Sequence, residues 1–344
     1  MRILLGMSGG IDSTCAAKLL MEKGHAVEGA VLVMHPYTET DAARAAAESL
    51  GITLHEVDGR ERFQSIVQKY FAEEYLRGRT PNPCTVCNRE VKFALLYEYA
   101  MKNGFDAIAT GHYAKVVKLG ERYAIAEGED KSKDQSYVLW GLSQQILSRL
   151  CLPLSDLTKE SLRALAREQG IYAADRAESQ EICFIPDKDY ARFIIEYTGV
   201  EPREGNFVDE SGKPLGRHKG ILHYTVGQRK GLGISLGKRM FVTAISAEKN
   251  TVTLSDDPNA TVSSFFIEDM IFSGREEPAV GERLRARVRV RYLAPLREAL
   301  VTYLGGGRAE VLLSEGARAV TPGQSAVFYE DGAVAFGGVI GGIR

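Results

Sequence analysis

Apolar positions in the first half of the chain switch between two periods. Residues 1–5 form a short apolar run that a Gly/Ser turn closes. Over 14–23, Ala16, Leu19 and Leu20 fall at helical spacing, and Gly24 stops the pattern. Residues 27–34 read as a second strand, 41–50 as an Ala-rich helix ended by Gly51, and 52–57 as an alternating third strand. Phe63, Ile66, Val67 and Tyr70 stripe one face of another helix. Residues 93–101 continue helical, 105–110 form a buried strand, and 158–169 form a helix capped by Thr158 and closed by Gly170. Strands alternating with helices predict right-handed crossovers and a parallel sheet covered on both faces. Near residue 198 the texture changes to short apolar runs between glycines and prolines, as at 240–245, 251–254, 283–292 and 326–329. The expected organisation is an α/β unit over 1–197 and two small β-rich units over 198–262 and 263–344.

Composition narrows the class. The chain has 344 residues, 44% hydrophobic and 26% charged, an ordinary globular balance with room for two or three cores. No run approaches the ~20 apolar residues that span a bilayer. The first residues enter a strand without the basic head of a secretory leader, which predicts a cytoplasmic protein with no membrane partner. Net charge is −2, so any affinity for nucleic acid must be local. Residues 211–247 contain no Asp or Glu but carry Lys213, Arg217, Lys219, Arg229, Lys230, Lys238 and Arg239. Such a glycine-rich basic segment suits a phosphate backbone better than a merely solvated loop. Arg283, Arg285, Arg287, Arg289 and Arg291 alternate with mostly apolar residues. As one strand this arginine face extends roughly 27 Å. It reads equally as an RNA contact or as a charged edge strand, paired in part with Glu298 and Glu310.

The first strand leads into Ser8-Gly9-Gly10-Ile11-Asp12-Ser13 and then a helix. Glycines allow close backbone approach, and N–H groups at a helix start point at an anion. Ser8 and Ser13 add hydroxyls, and Asp12 is placed to help hold Mg²⁺ against substrate phosphates. A serine-capped tight turn is the plainer reading. The position at the carboxyl edge of a parallel sheet, where such folds bind ligands, favours the functional one. Neither a dinucleotide G-x-G-x-x-G at this turn nor a Walker A loop is present.

Five cysteines at irregular spacing argue against a disulfide framework. Cys84 and Cys87 follow a rigid turn containing Pro81 and Pro83. A helix start with Arg89 and Lys92 nearby favours thiolate at Cys87. A structural zinc would need a second ligand pair, and no further C-x-x-C or H-x-x-H exists. Cys183, preceded by Ser179-Gln-Glu-Ile, lies in an apolar run and by itself reads as a small core residue, as do Cys15 and Cys151.

The S-G-G-x-D-S loop resembles that of the ATP pyrophosphatases. Together with Arg79-Thr-Pro-Asn-Pro83, Cys87-Asn88, Ala109-Thr-Gly-His-Tyr113, Lys133-Asp-Gln-Ser-Tyr137, Ile182-Cys-Phe-Ile185, the run 224–234 and Thr321-Pro-Gly-Gln-Ser325, the chain resembles the bacterial tRNA-specific 2-thiouridylases over nearly its whole length. The resemblance implies an ATP pyrophosphatase domain, a central tRNA-binding domain and a C-terminal β-barrel. It implies ATP held by Gly6, Met7, Ser8, Gly9, Gly10, Ile11, Asp12, Ser13, Leu32 and Gly111. Asn82, Pro83 and Cys84 would lie beside the target uridine, the wobble base of tRNA. Lys133, Asp134, Gln135, His112, Arg291, Tyr292 and Gln324 would touch tRNA. Cys87 matches the nucleophile and Cys183 the carrier of persulfide sulfur.

One departure matters. Better-known members carry aspartate where this chain has Cys84. Cys84, Cys87 and Cys183 together match the ligand set of a 4Fe–4S cluster with one open iron. Two sulfur routes therefore follow, a persulfide relay and a cluster, each needing an external sulfur donor. Two rival functions remain: an amidating ATP pyrophosphatase, which would not need the cysteines, and a non-enzymatic sulfur or iron–sulfur carrier that binds tRNA, which would not cleave ATP.

Overall fold

The computed structural model describes residues 1–171, 182–257 and 261–343. Its N-terminal sheet is built from β1 (Arg2–Gly6), β2 (Ala26–Val33), β3 (Leu54–Asp58), β4 (Ala107–Ala109) and a short strand further on, separated from β4 by the hairpin β5 (Ala114–Leu119) and β6 (Arg122–Glu127). That fifth strand is β7 (Leu150–Cys151), and the parallel order is β3-β2-β1-β4-β7. Ile3, Leu4 and Leu5 on central β1 are all fully buried, since helices cover both faces. Every loop leaving the carboxyl ends of these strands emerges along one edge, where the phosphate loop, Gly111 and His112 sit.

A second sheet contains β8 (Gly205–Val208), β9 (Pro214–His218), β10 (Phe241–Ser246) and β11 (Thr251–Ser255), in the order β10-β11-β8-β9. Phe207, Val242, Val252 and Leu254 fill its small core. All seven lysines and arginines of the acid-free segment are exposed. Arg217 pairs with Glu204 and Lys238 with Asp256, whereas Lys219, Arg229, Lys230 and Arg239 carry no ion pair among the described residues.

The last strands are β12 (Val262–Ile271), β13 (Arg283–Arg289), β14 (Arg297–Gly305), β15 (Arg308–Ala317), β16 (Ser325–Glu330) and β17 (Ala333–Ile343). They run β12-β15-β14-β13-β16-β17, and β17 pairs back to β12, closing a six-stranded barrel. Closure corrects the reading of the arginine row. Strand β13 is paired on both sides, with β14 and β16, so it is no edge, and it ends at Arg289, leaving Arg291 beyond it. Leu284, Ala286 and Val288 point into the barrel. Arg287 stands opposite Glu298. Arg289 turns to Glu127 at 2.6 Å and Asp134 at 2.8 Å, so it is committed to the protein.

The barrel and the α/β unit share a core. Val327, Tyr329 and Val334 pack with Tyr137, Trp140 and Phe93. A Cβ on Gly337 would lie 2.5 Å from the Trp140 ring, so only glycine admits the indole there. Hairpin β5–β6 extends the barrel sheet through Ala126 opposite Ala333. A clasp ties the barrel to the segment ahead of Cys84. Thr80 N–H donates to the Pro322 carbonyl at 2.8 Å, and the Gln324 amide donates to the Thr80 carbonyl at 2.8 Å. Arg79 bridges Glu74 at 2.9 Å and Glu268 at 2.6 Å. Gly323 at the centre of the clasp has φ +92°, and a Cβ there would lie 2.9 Å from the Thr80 backbone.

Gly323→Ala therefore carries two penalties, a left-handed backbone and a clash with backbone. The expected cost is about 1–3 kcal/mol, read as a melting temperature several degrees below wild type. An unchanged melting temperature would show that the clasp yields freely.

Candidate active site

The phosphate loop is built from its own backbone. The helix Ile11–Glu22 begins at Gly10 without any side-chain cap, which leaves its first N–H groups for a ligand. The Ser13 hydroxyl donates to the Gly10 carbonyl at 3.1 Å and accepts from the Ser8 N–H at 3.3 Å, which fixes the curl of the turn. Gly9 has φ +74°, and a Cβ there would fall 2.2 Å from the Ala42 carbonyl carbon. Gly111 lies flat against the loop, where a Cβ would meet the Asp12 carbonyl carbon at 2.8 Å. Gly111 thus joins Gly6–Ser13 in one constellation, 98 residues beyond Ser13 in sequence only because β4 neighbours β1. Met7 and Ile11 are buried beneath the loop, and Leu32 is 8% exposed on neighbouring β2.

Asp12 does not present a free carboxylate. Its oxygens accept from the Lys159 ammonium at 2.7 and 2.9 Å, and Oδ1 also accepts from the Tyr113 hydroxyl at 2.8 Å. As a Mg²⁺ ligand it would first have to give up these partners. Lys159 and Tyr113 escaped the sequence reading. A lysine at the first position of a helix, where the dipole disfavours a cation, was the available signal.

The cysteine segment corrects one expectation. The short helix Pro83–Val86 starts at Asn82, whose side chain accepts from the Cys84 N–H at 3.1 Å. Cys84, not Cys87, is therefore the thiol at the helix start. Cys87 lies one turn further, at the opening of a π-helical stretch Cys87–Lys92, 7% exposed, its thiol donating to the Met34 sulfur at 3.9 Å. Burial pushes its pKa up to about 12, and the nearby Lys92 charge offsets only part of that. Arg89 does not help, because it pairs with Glu90 at 2.6 Å and lies over the Trp140 ring. Cys84 and Cys183 reach solvent, yet desolvation by the surrounding protein raises both. As built, none of the three is a ready thiolate.

The three thiols are nevertheless near enough to influence one another: Cys183 and Cys84 both help raise Cys87, Cys84 helps raise Cys183, and Lys92 opposes the rise at all three. Residues 179–181, which lead into Cys183, lie outside the described residues. Among the described residues, no three His, Cys, Asp or Glu side chains are grouped tightly enough for a single metal ion.

Other expected contacts divide. His112 is half-buried and, like the three cysteines, lies within the influence of Lys92. Burial first and then Lys92 push its pKa down to about 3, so it is a neutral ring, hydrogen-bonded to Thr110 at 2.8 Å. Asp134 is fully buried, accepting from Gly128 N–H, Ser136 and Arg289, so it cannot touch RNA. Gln135 accepts from the Tyr113 N–H at 2.9 Å, and Lys133 is half-buried. Gln324 serves the clasp. Pro83 is buried. Arg291 is exposed, and Tyr292 is 40% exposed.

Comparison with known proteins gives consistent matches. Residues 1–187 match the family model described as tRNA methyl transferase HUP domain, 191–256 the tRNA methyl transferase PRC-barrel domain, and 262–340 the aminomethyltransferase beta-barrel domain. The tRNA-specific 2-thiouridylase MnmA of Acetivibrio thermocellus is 42% identical, covering 98% of this chain and 99% of its own length. The protein of the same name from Carboxydothermus hydrogenoformans is 42% identical over 98% and 97%, and that from Treponema denticola 40% over 99% and 98%.

A thiol with a raised pKa gains thiolate only as pH climbs. Alkylation of Cys87 by iodoacetamide, followed by peptide mass spectrometry, should be very slow at pH 7 and still rising at pH 10. Lys92→Met should slow it further, because Lys92 is the charge that lowers the pKa. A rate that levels off near pH 8 would contradict the burial argument.

Proposed function

Since this chain belongs to the tRNA-specific 2-thiouridylase family, as relatives 42% identical along almost all of it show, we infer that it catalyses the ATP-dependent 2-thiolation of uridine in tRNA. What supports this reading of the site is the mutual electrostatic influence of Cys84, Cys87 and Cys183, with Lys92 acting on each of them. An amidating ligase has no use for such a set.

Residues 1–197 form the catalytic unit, and the units over 198–262 and 263–344 grip the RNA. ATP lies on Gly6–Ser13 and Gly111, with its phosphates at the open start of the helix Ile11–Glu22. Any Mg²⁺ supplies charge to those phosphates. The target uridine leaves its stack and settles beside Asn82 and Cys84. Its C2 oxygen attacks the α-phosphate, pyrophosphate departs, and C2 becomes open to a sulfur nucleophile. In the relay, the terminal sulfur of a Cys183 persulfide attacks C2 and AMP leaves. Cys87 then attacks the Cys183 sulfur, releasing the thiocarbonyl and closing a disulfide that an external thiol reductant reopens. A 4Fe–4S cluster on Cys84, Cys87 and Cys183 would instead supply an open iron for hydrosulfide. Neutral His112 donates or accepts a hydrogen bond without carrying charge. The exposed Lys219, Arg229, Lys230, Arg239, Arg291 and Tyr292 meet the tRNA. Asp134 takes no part in that contact.

Two measurements test this reading. With tRNA, ATP and a thiol reductant, supplied in turn with a persulfide donor and with sulfide, wild type should release AMP and pyrophosphate and form 2-thiouridine with at least one of the two, and Cys87→Ser should abolish the thiouridine. Activity that survives both Cys87→Ser and Cys183→Ser would favour the ligase. No ATP cleavage with tRNA present would favour the carrier. Iron and acid-labile sulfide on anaerobically purified protein then divide the routes. Near four of each per chain, lost on Cys84→Ser, gives the cluster, whereas negligible iron gives the relay.

A further inference from the structure

We propose that Lys159 is a positioning residue of the nucleotide site, which cancels the charge of Asp12 so that the phosphate loop accepts a triphosphate. The inference rests on the ATP-binding reading of that loop and adds a residue 147 positions away from it.

Asp12 is the second residue of the helix Ile11–Glu22, inside the turn that is to receive the phosphates. An unpaired carboxylate there would repel a ligand carrying several negative charges. Lys159 removes that repulsion, with its ammonium 2.7 and 2.9 Å from the two carboxylate oxygens. The lysine occupies this place against two penalties. It is 6% exposed, and it opens the helix Lys159–Glu168, where the dipole disfavours a cation. Neither penalty would be borne for a surface cap, since the helix is already capped by Thr158 and Ser161, with Asp130 accepting the Lys159 N–H at 2.9 Å.

The geometry around the pair fixes it in place. The Tyr113 hydroxyl donates to Asp12 Oδ1 at 2.8 Å, and the Tyr113 ring lies 5.6 Å from the ammonium, a cation–π distance. Gly111, two residues earlier, leaves no room for the carboxylate's own backbone to shift, because it packs directly on Asp12 and Ser13. The anchoring of the lysine backbone by Asp130 holds the ammonium at the loop even though it arrives from a distant element. The role is electrostatic and steric positioning, with no bond made or broken at Lys159.

The test is ATP affinity by equilibrium dialysis on the full chain, with magnesium present, for wild type, Lys159→Met, Lys159→Arg, Asp12→Asn and the double variant Asp12→Asn with Lys159→Met. Lys159→Met should weaken binding about tenfold or more, and Lys159→Arg should restore most of it. The double variant should bind within about threefold of wild type, because removing both charges leaves the net charge of the turn unchanged. Wild-type affinity in Lys159→Met overturns the proposal. So does a double variant that binds as weakly as Lys159→Met, which would make the lysine a direct ligand contact or a structural prop. If Lys159→Met does not fold, the comparison of the double variant with wild type decides alone, since the double variant leaves neither charge of the couple unpaired. Wild type that binds no ATP would defeat the nucleotide reading itself, an outcome separate from any of these.

Discussion

The clasp between Thr80 and the turn Pro322–Gln324 sets the approach of the segment that carries Cys84 and Cys87. One main-chain hydrogen bond and one from the Gln324 side chain, both 2.8 Å, hold the strand of chain that ends at Asn82 and Cys84. Each contributes only about 1 kcal/mol net, so their value lies in placement. Pro81 and Pro83 stiffen the next residues, and Asn82 caps the helix that carries Cys84. A rotation fixed at Thr80 is thus passed along a rigid segment to the sulfurs. The barrel is a part of the catalytic apparatus in this sense, although it contributes no reacting group.

Charge burial follows the same logic. Arg289 is held between Glu127 and Asp134 and lies over the Tyr329 ring, joining the barrel to the loop that follows β6. Asp12 and Lys159 join the phosphate loop to a helix late in the α/β unit. Buried ion pairs are weak sources of net stability, because desolvation consumes much of their attraction. Both pairs join elements far apart in the chain, and a wrong register would leave a charge without its partner. Their contribution is to specify one arrangement of the units.

The local parts of this architecture were legible in the sequence. The phosphate loop is contiguous, and its glycines and serines act through their own backbone, so reading Ser8–Ser13 required no tertiary knowledge. The alternation of strands and helices up to residue 110 reads correctly for the same reason. What the sequence could not supply was burial. Lys92 near Cys87 suggested a thiolate, but the packing of Met34 and the burial of the thiol reverse that sign. Asp134 was expected at the tRNA from family resemblance, and its enclosure by Arg289 and Ser136 could not be read from the sequence. The arginine row was legible as a strand with Glu298 opposite, and its place in the sheet was not, because a period of two gives faces but not neighbours and only barrel closure shows that β13 also pairs with β16.

The notch at Gly337 that receives Trp140 has a consequence for how the protein is made. The indole and the glycine lie roughly 200 residues apart, and ribosomes add about 5–20 residues per second. The α/β unit therefore waits roughly 10–40 s after Trp140 emerges for the strand that covers it. During that interval Trp140, Tyr137 and their neighbours form an apolar face with no lid. Expressed without its last strand, the catalytic half would keep that face permanently, as a sticky fragment rather than a smaller enzyme.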